Sequence, residues 1–479
     1  MFRFADKWDR IMIVLGAIAS LMVGAAMPLL ILLFGNAMDD FVKFASTIQQ
    51  FHSLSPEDQS DPQLVESFNS ARHDLGDSTR KTCLNFFIVG MCVWVSGFIM
   101  SACWNASSER QSERIRSLYY RSILRQNVGW FDSVPTGNLT SRISGDINMI
   151  KEGIGEKIGY ILQFIATFVG SLIIAFIKAW KVAFVALAMT PAMMAAVAVM
   201  GILISKWATH GQDQYAGAGA VANEVLSSIR TVMAFNSQER ELRRYDAEIR
   251  KAYFSSRKKH IITGVCVGLM MLIMFCNYSA SLWFGSLRIL AGEYTAGEVL
   301  SAFFGLMFGG FVLGNAAPNA STIATGRGCA SRVYGIIARE SPIDAVDSDS
   351  GIIAGNGDGQ HAIRGHIEFR DVHFAYPTRP DVPILRGFTL TIRPGEKVAL
   401  VGGSGCGKST AVGLVERFYD PEAGEIIIDG VNVKDYNVRS LRQNIGVVTQ
   451  EPVLFSTSIY QNIIWGTVDP ENNPPTKDE

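Results

Sequence analysis

Charge is scarce in this 479-residue sequence and unevenly spread: Asp, Glu, Lys and Arg together make up 18%. Six stretches contain no Asp, Glu, Lys, Arg or His at all, at 11–38, 82–108, 158–177, 182–205, 261–287 and 299–326. A helix needs about 20 apolar residues to cross the hydrocarbon core of a bilayer. Six such runs exclude a single compact soluble domain, in which one apolar run would read as a buried core helix. The formal net charge is −1, so there is no global basic field and no nucleic-acid partner is expected. Cysteine is also sparse. The seven residues form no CxxC pair, which excludes a disulfide framework. Cys83, Cys92, Cys103, Cys266 and Cys276 fall in apolar runs and read as small buried hydrophobes, while Cys329 and Cys406 stand alone.

What charge there is sets the orientation. Lys and Arg near the membrane favour the cytoplasmic side. The segment 109–157 carries eight of them and 206–260 carries ten, whereas 39–81 carries four against eight acids. The first two therefore face the cytoplasm and the third faces outward, with both termini cytoplasmic. Segments 109–157 and 206–260 are rich in helix formers and read as membrane helices continuing into the cytoplasm, with a short reversal at each tip. The first ten residues, MFRFADKWDR, mix charge with aromatic rings and read as an interfacial amphipathic helix rather than a signal peptide. The outward loop has no N-x-[ST] acceptor, so no N-glycan is expected. In the sixth run, Gly305 with Gly309 and Gly310 with Gly314 space small residues for close helix packing. Phe303, Phe304, Met307, Phe308 and Phe311 offer adaptable apolar surface for a ligand on another face.

A linker rich in Gly, Asp and Ser follows at 339–364, and the pattern then changes. HIEFRDVHFAYP alternates as a strand, KVALV reads as a short buried strand, and TAVGLVERFY starts a helix. Between the last two lies G-x-x-x-x-G-K-S, Gly402 to Ser409. Strand, glycine loop and helix together are the context of a phosphate-binding loop. Its glycines let backbone N–H groups turn toward phosphate oxygens, and the helix start adds a partial positive charge. Lys408 would bridge the β- and γ-phosphates of ATP, and the Ser409 hydroxyl would hold Mg²⁺. Cys406 lies inside the loop, so alkylating it is expected to block the nucleotide, and ATP to protect it.

These residues resemble the ATP-binding cassette exporters, most closely the first half of the P-glycoprotein-like multidrug transporters of subfamily B. The resemblance runs from about residue 2 to 468. It rests on GWFDSVPTGNLTSRISGDINMIKEGIGEKIG, VANEVLSSIRTVMAFNSQERELRRY, FAYPTRPDVPILRGFTLTIRPGEKVALVGGSGCGKST, FYDPEAGEIIIDG and IGVVTQEPVLFSTSIYQNI. It implies a transmembrane domain at 11–338 of the type IV exporter fold, with six helices, followed by an incomplete α/β P-loop nucleotide-binding domain at 365–479. It implies ATP-driven export of amphipathic or hydrophobic xenobiotics by alternating access, at the plasma membrane, the family's usual site. By the same resemblance Gly402, Gly403, Ser404, Gly405, Cys406, Gly407, Lys408, Ser409 and Thr410 hold the phosphates. Tyr376 stacks on the adenine, Gln450 reaches Mg²⁺ and the γ-phosphate, and the tip Trp130–Thr136 docks on a nucleotide domain. Met27, Phe34, Phe275, Tyr278, Phe303, Phe304 and Phe311 are the matching candidates for a substrate cavity.

The sequence departs from the family pattern after Gln450. It has no LSGGQ-type loop, no apolar strand ending in Asp-Glu and no switch His, and it ends at Glu479. Residues 1–479 alone are therefore expected to hydrolyse ATP negligibly, because the attacking water has no carboxylate to orient it. The expected partners are membrane lipid, a small apolar or amphipathic substrate, and a second membrane half with a second cassette, in cis or in trans. The alternative is a truncated ATP-binding product that does not transport and is inert or modulates assembly of full-length partners. The partial nucleotide domain is expected to be only marginally stable, since central strands that would bury its apolar faces are missing.

Overall fold

The structure is a computed structural model that describes residues 2–53, 62–134, 139, 142–346, 351–355, 363–403, 405–448 and 453–466. It divides into two units, Met1–Ile115 with Ile147–Ala330 and Arg116–Asp146 with Ser331–Glu479.

The helices are α1 (Lys7–His52), α2 (Pro62–Leu124), α3 (Val128–Ser133), α4 (Ile147–Ile154), α5 (Glu156–Ser227), α6 (Ile229–Ala234), α7 (Gln238–Leu290), α8 (Ala296–Gly314) and α9 (Ala316–Ile337). Among the described residues, five helical stretches are long and apolar enough to cross a membrane. One of them holds two of the six apolar runs. Within α5 the backbone leaves the helical region at Ala179 (φ −148°, ψ 74°). Eight residues of straight helix would rise about 12 Å, yet the rings of Phe176 and Phe184 lie 5.1 Å apart across this point. The chain thus turns sharply at Ala179, and the third and fourth runs are separate helices. This is a multi-pass α-helical membrane protein.

The first unit is held by small residues. Ala175, Ala179, Val182, Ala183 and Ala186 of α5 are buried against Val299, Ala302 and Leu306 of α8. A Cβ on Gly309 would lie 3.1 Å from Ser171 Cβ, so the glycine spacing of the sixth run does serve close packing. Thr167 Oγ1 donates to Gly24 O at 2.9 Å, and Trp104 is buried against Ala19 with its Nε1 donating to Ser20 Oγ at 3.3 Å. Many other large apolar side chains are exposed on the surface of this unit, including Phe87, Trp94 and Phe98. Cys83, Cys92 and Cys276 share that exposed position, so the expectation that they are buried does not hold for them. Lipid is as apolar as a protein core, and hydropathy does not separate the two.

At the amino end, Phe2–Phe4 forms a single 3₁₀ turn, and α1 starts at Lys7 behind an Asp6 capping box. Asp6 and Asp9 pair with Arg110 and Arg114 of α2 at 3.0–3.1 Å. Asp9 is fully buried in this network. At the far end of α1, Asp39 accepts from Thr295 Oγ1 and Gly297 N, both at 2.7 Å, and so caps the start of α8.

The second unit carries an antiparallel sheet of order β2-β1-β3-β4, with β1 Ile367–Ala375, β2 Pro383–Ile392, β3 Ala423–Ile428 and β4 Val431–Asn432. Helix α10 (Lys408–Val415) packs on it, followed by α11 (Val438–Gln443) and α12 (Ile459–Ile464). The core joins Phe369, Phe374, Leu385, Leu414, Ile426 and Leu441. Gly424 sits at φ +80°, where a Cβ would come within 2.2 Å of Asp371 O, so only glycine fits beside the bulge in β1. One expectation is corrected here. KVALV, 397–401, is not a buried strand. It has no ladder partner among the described residues, and Val398, Leu400 and Val401 are exposed at 40%, 37% and 93%. An apolar run becomes a strand only where neighbours accept its hydrogen bonds and cover its faces. The antiparallel sheet does neither for these residues.

Candidate nucleotide site

The glycine loop reaches α10 through two left-handed residues, Gly405 (φ +83°) and Gly407 (φ +91°). A Cβ on Gly407 would sit 2.8 Å from Leu385 Cδ2 and 3.1 Å from Ile384 Cγ2, so the loop is seated directly on β2. Lys408, the first residue of α10, turns back over the loop. Its Nζ donates to Gly402 O at 3.0 Å and Gly403 O at 2.6 Å and lies 3.5 Å from Cys406 Sγ. Gly402, Gly403, Gly405, Cys406 and Ser409 are exposed. The loop is therefore open on the side where its amino-terminal helix end presents unpaired N–H groups. Ser404 and Gln450 lie outside the described residues, so the structure does not place them.

Thr410 is buried, and its Oγ1 lies 2.9 Å from the Tyr376 hydroxyl. This bond ties the end of β1 to the first turn of α10. The Tyr376 ring meets Phe374 edge-on at 5.1 Å and Tyr419 at 5.4 Å. Tyr419 in turn donates its hydroxyl to Asp132 Oδ2 of α3 at 2.6 Å. Burial, with the Asp132 carboxylate beside it, pushes the Tyr419 phenol well above its ordinary range. A Cβ on Gly129 of α3 would stand 3.1 Å from Pro377 Cγ. The tip helix thus rests on the same aromatic group that braces the glycine loop. Pro135 and Thr136, the end of the expected docking tip, are outside the described residues. The sequence reading missed Tyr419 as the link. FYDP was recognised, but nothing in its spacing points to a partner 287 residues away.

The carboxyl end of α10 is braced by Arg442, whose Nε and Nη2 donate to Glu416 O and Arg417 O, both at 2.9 Å. The guanidinium lies 5.0 Å over the Phe418 ring. Burial lowers its pKa and raises that of the Glu416 carboxyl.

The membrane-side candidates divide. Phe275, Tyr278, Phe303 and Phe304 form one run of ring contacts between α7 and α8, at 5.7, 4.9 and 4.9 Å. Phe303 is 2% exposed, so its ring packs between its neighbours rather than facing open space. Phe275 and Phe311 are exposed. Met27 is exposed on α1, and Phe34 lines a separate cavity of about 230 Å³ with Met38 and Phe86.

A family model for the transmembrane region of ABC transporters matches residues 13–311, and one described as ABC transporter matches 385–478. The chain belongs to the ATP-binding cassette transporter family. It is 38% identical over 97% of its length to ABC transporter B family member 2 of Dictyostelium discoideum, covering 32% of that protein. It is 37% identical over 98% of its length to ATP-binding cassette sub-family B member 5 of Homo sapiens, covering 36%. It is 35% identical over all of its length to ABC multidrug transporter atrD of Emericella nidulans, covering 34%. The chain spans about a third of the length of the curated relatives it matches. The likeness extends across both matched regions, membrane helices and glycine loop alike.

Proposed function

We propose that this chain is the amino-terminal part of an ATP-driven exporter of amphipathic and hydrophobic compounds that works by alternating access. The observation that carries the reading is the Tyr419–Asp132 contact, which places a helix tip from the membrane-domain sequence on the aromatic group bracing the glycine loop. A change at the loop is felt at α3 through two hydrogen bonds and a ring contact. The relatives named multidrug transporters support the substrate class.

The loop fits a nucleoside triphosphate. Left-handed Gly405 keeps a side chain off its open face, left-handed Gly407 lets the loop sit on β2, and Lys408 holds over the loop a cation that donates to the carbonyls of Gly402 and Gly403 and lies near Cys406 Sγ. Phosphate oxygens would replace those carbonyls as its partners. Ser409 and Gln450 would hold Mg²⁺, and Tyr376 would stack on the adenine. Bound ATP supplies the free energy that separates the inward- and outward-open states. The second membrane half and second cassette come from elsewhere in the protein or from a partner. The membrane is the plasma membrane, and both termini of 1–479 face the cytoplasm, as the Lys and Arg distribution supports.

The test is uptake of an amphipathic fluorescent cation into inside-out vesicles carrying the protein. Uptake is expected to need ATP and to vanish in Lys408→Ala. Uptake that persists in that variant, or that ATP does not drive, overturns the reading.

A further inference from the structure

In the second unit, the end of α2 and the segment after α9 enclose a polar cavity of about 680 Å³. Arg121, Arg125 and Arg339 line it, against Glu340 and Asp344. Arg125 is committed to Asp344, at 2.5 Å from Nη2 to Oδ2. Arg121 is exposed and has no ion pair among the described residues. Ser341 lines the same cavity. It lies in 339–346, which is neither helix nor strand, and Pro342 follows it. Its Oγ donates to Ile343 O, two residues on, at 2.9 Å. The cavity's other serine, Ser122, is buried inside α2 and donates to Ile336 O.

We propose that Ser341 is a phosphorylation site for a proline-directed serine/threonine kinase, and that this cavity receives its phosphate. The kinase transfers the γ-phosphoryl group of ATP to Ser341 Oγ. The bond to ADP breaks, the Oγ–P bond forms, and the hydroxyl proton leaves to the kinase's base. Three arguments converge. The irregular segment can be drawn into a kinase cleft without unwinding a helix. Proline at the next position is the feature such kinases read. The cavity has three arginines to meet a phosphate of charge about −1.5 to −2 and is far larger than a phosphate needs, so the group can be paired there without crowding. Arg121 is the first partner for the phosphate, because making that bond breaks no other. Arg125 is the second, in exchange for Asp344. That exchange releases the start of the 339–364 linker from the end of α2.

The test uses the purified full chain in detergent, a proline-directed kinase and Mg-ATP. Mass spectrometry of the tryptic peptide 340–364 is expected to place one phosphate on Ser341, absent in Ser341→Ala. If Ser341 in the chain stays unmodified while the synthetic peptide 340–364 is phosphorylated, the acceptor assignment falls. The phosphorylated chain is then treated with a phosphatase. Removal is expected to be about tenfold slower than from the phosphopeptide, since charge-assisted bonds must break first, and Arg121→Gln is expected to restore most of the difference. Equal rates in chain and peptide, or a slow rate that Arg121→Gln leaves unchanged in a variant that still elutes as a single species, overturn the role of the cavity.

Discussion

A lysine with two backbone carbonyls for partners is poised to change partners. Lys408 Nζ folds back onto its own loop, and its charge gains more from phosphate than from amide oxygens. Lys408→Ala is expected to weaken binding of a fluorescent ATP analogue by at least about tenfold, read by anisotropy. Alkylation of exposed Cys406 is expected to block the same binding, with ATP slowing the reaction. Equal alkylation rates with and without ATP would remove the thiol from the site. Tyr419→Phe keeps the ring and deletes one hydrogen bond, worth about 1 kcal/mol. Hydrogen exchange in 128–133 is expected to rise several-fold, with 408–415 unaffected. At this scale the sequence was partly legible. G-x-x-x-x-G-K-S names its residues because the glycine conformations are local. The Tyr376–Tyr419–Asp132 link was not, because each side chain has many possible partners until the fold brings one near.

Among the elements, the helix ends carry the most specific contacts. Asp6 caps α1 and pairs with Arg110 and Arg114. The Asp9 backbone N–H first, and then Arg110, hold its carboxyl below its ordinary value of 3.8. A depressed carboxylate contributes stability that is present above the unfolded value and lost as pH falls through the lower folded one. The start of α1 should therefore stay pinned from neutral pH down to about pH 4 and loosen only below it, read as faster exchange of residues 2–10 after correction for the intrinsic pH dependence. Loosening between pH 5 and 7 would assign the pinning to another group. Deeper in the membrane, Gly309→Leu should push α8 off Ser171 at a cost of about 1–3 kcal/mol, lowering the apparent Tm in detergent by several degrees. Gly90→Leu, where a Cβ meets nothing within 4 Å, should leave it unchanged. Helix existence was plain in the sequence, because runs without charge have few other solutions. The turn at Ala179 was legible only as the gap between two runs, marked by Lys178 and Lys181. The run 397–401 was misjudged, because strand formation depends on neighbours that a local pattern cannot reveal.

At the scale of residues 1–479 as a whole, the valines of the second unit are exposed. Val401 and Val448 are 93% and 99% exposed, and Val398 and Val447 are also open. Residues 1–479 are expected to bind an apolar dye such as ANS outside the membrane helices, and to associate as concentration rises. Val401→Thr with Val448→Thr should reduce both without lowering the unit's melting temperature, since neither side chain contributes to the core. The second unit has one further property, which concerns time rather than space. It is assembled from residues 116–146 and from residues beginning about 185 positions later, at Ser331. At a synthesis rate of roughly 5–20 residues per second, the ribosome needs about 10–40 s to reach the second piece. Throughout that interval α3 stands without Tyr419 or Pro377 to rest on. A pause, a chaperone or a protease acting in that window meets a nascent tip helix whose partner has not yet been translated.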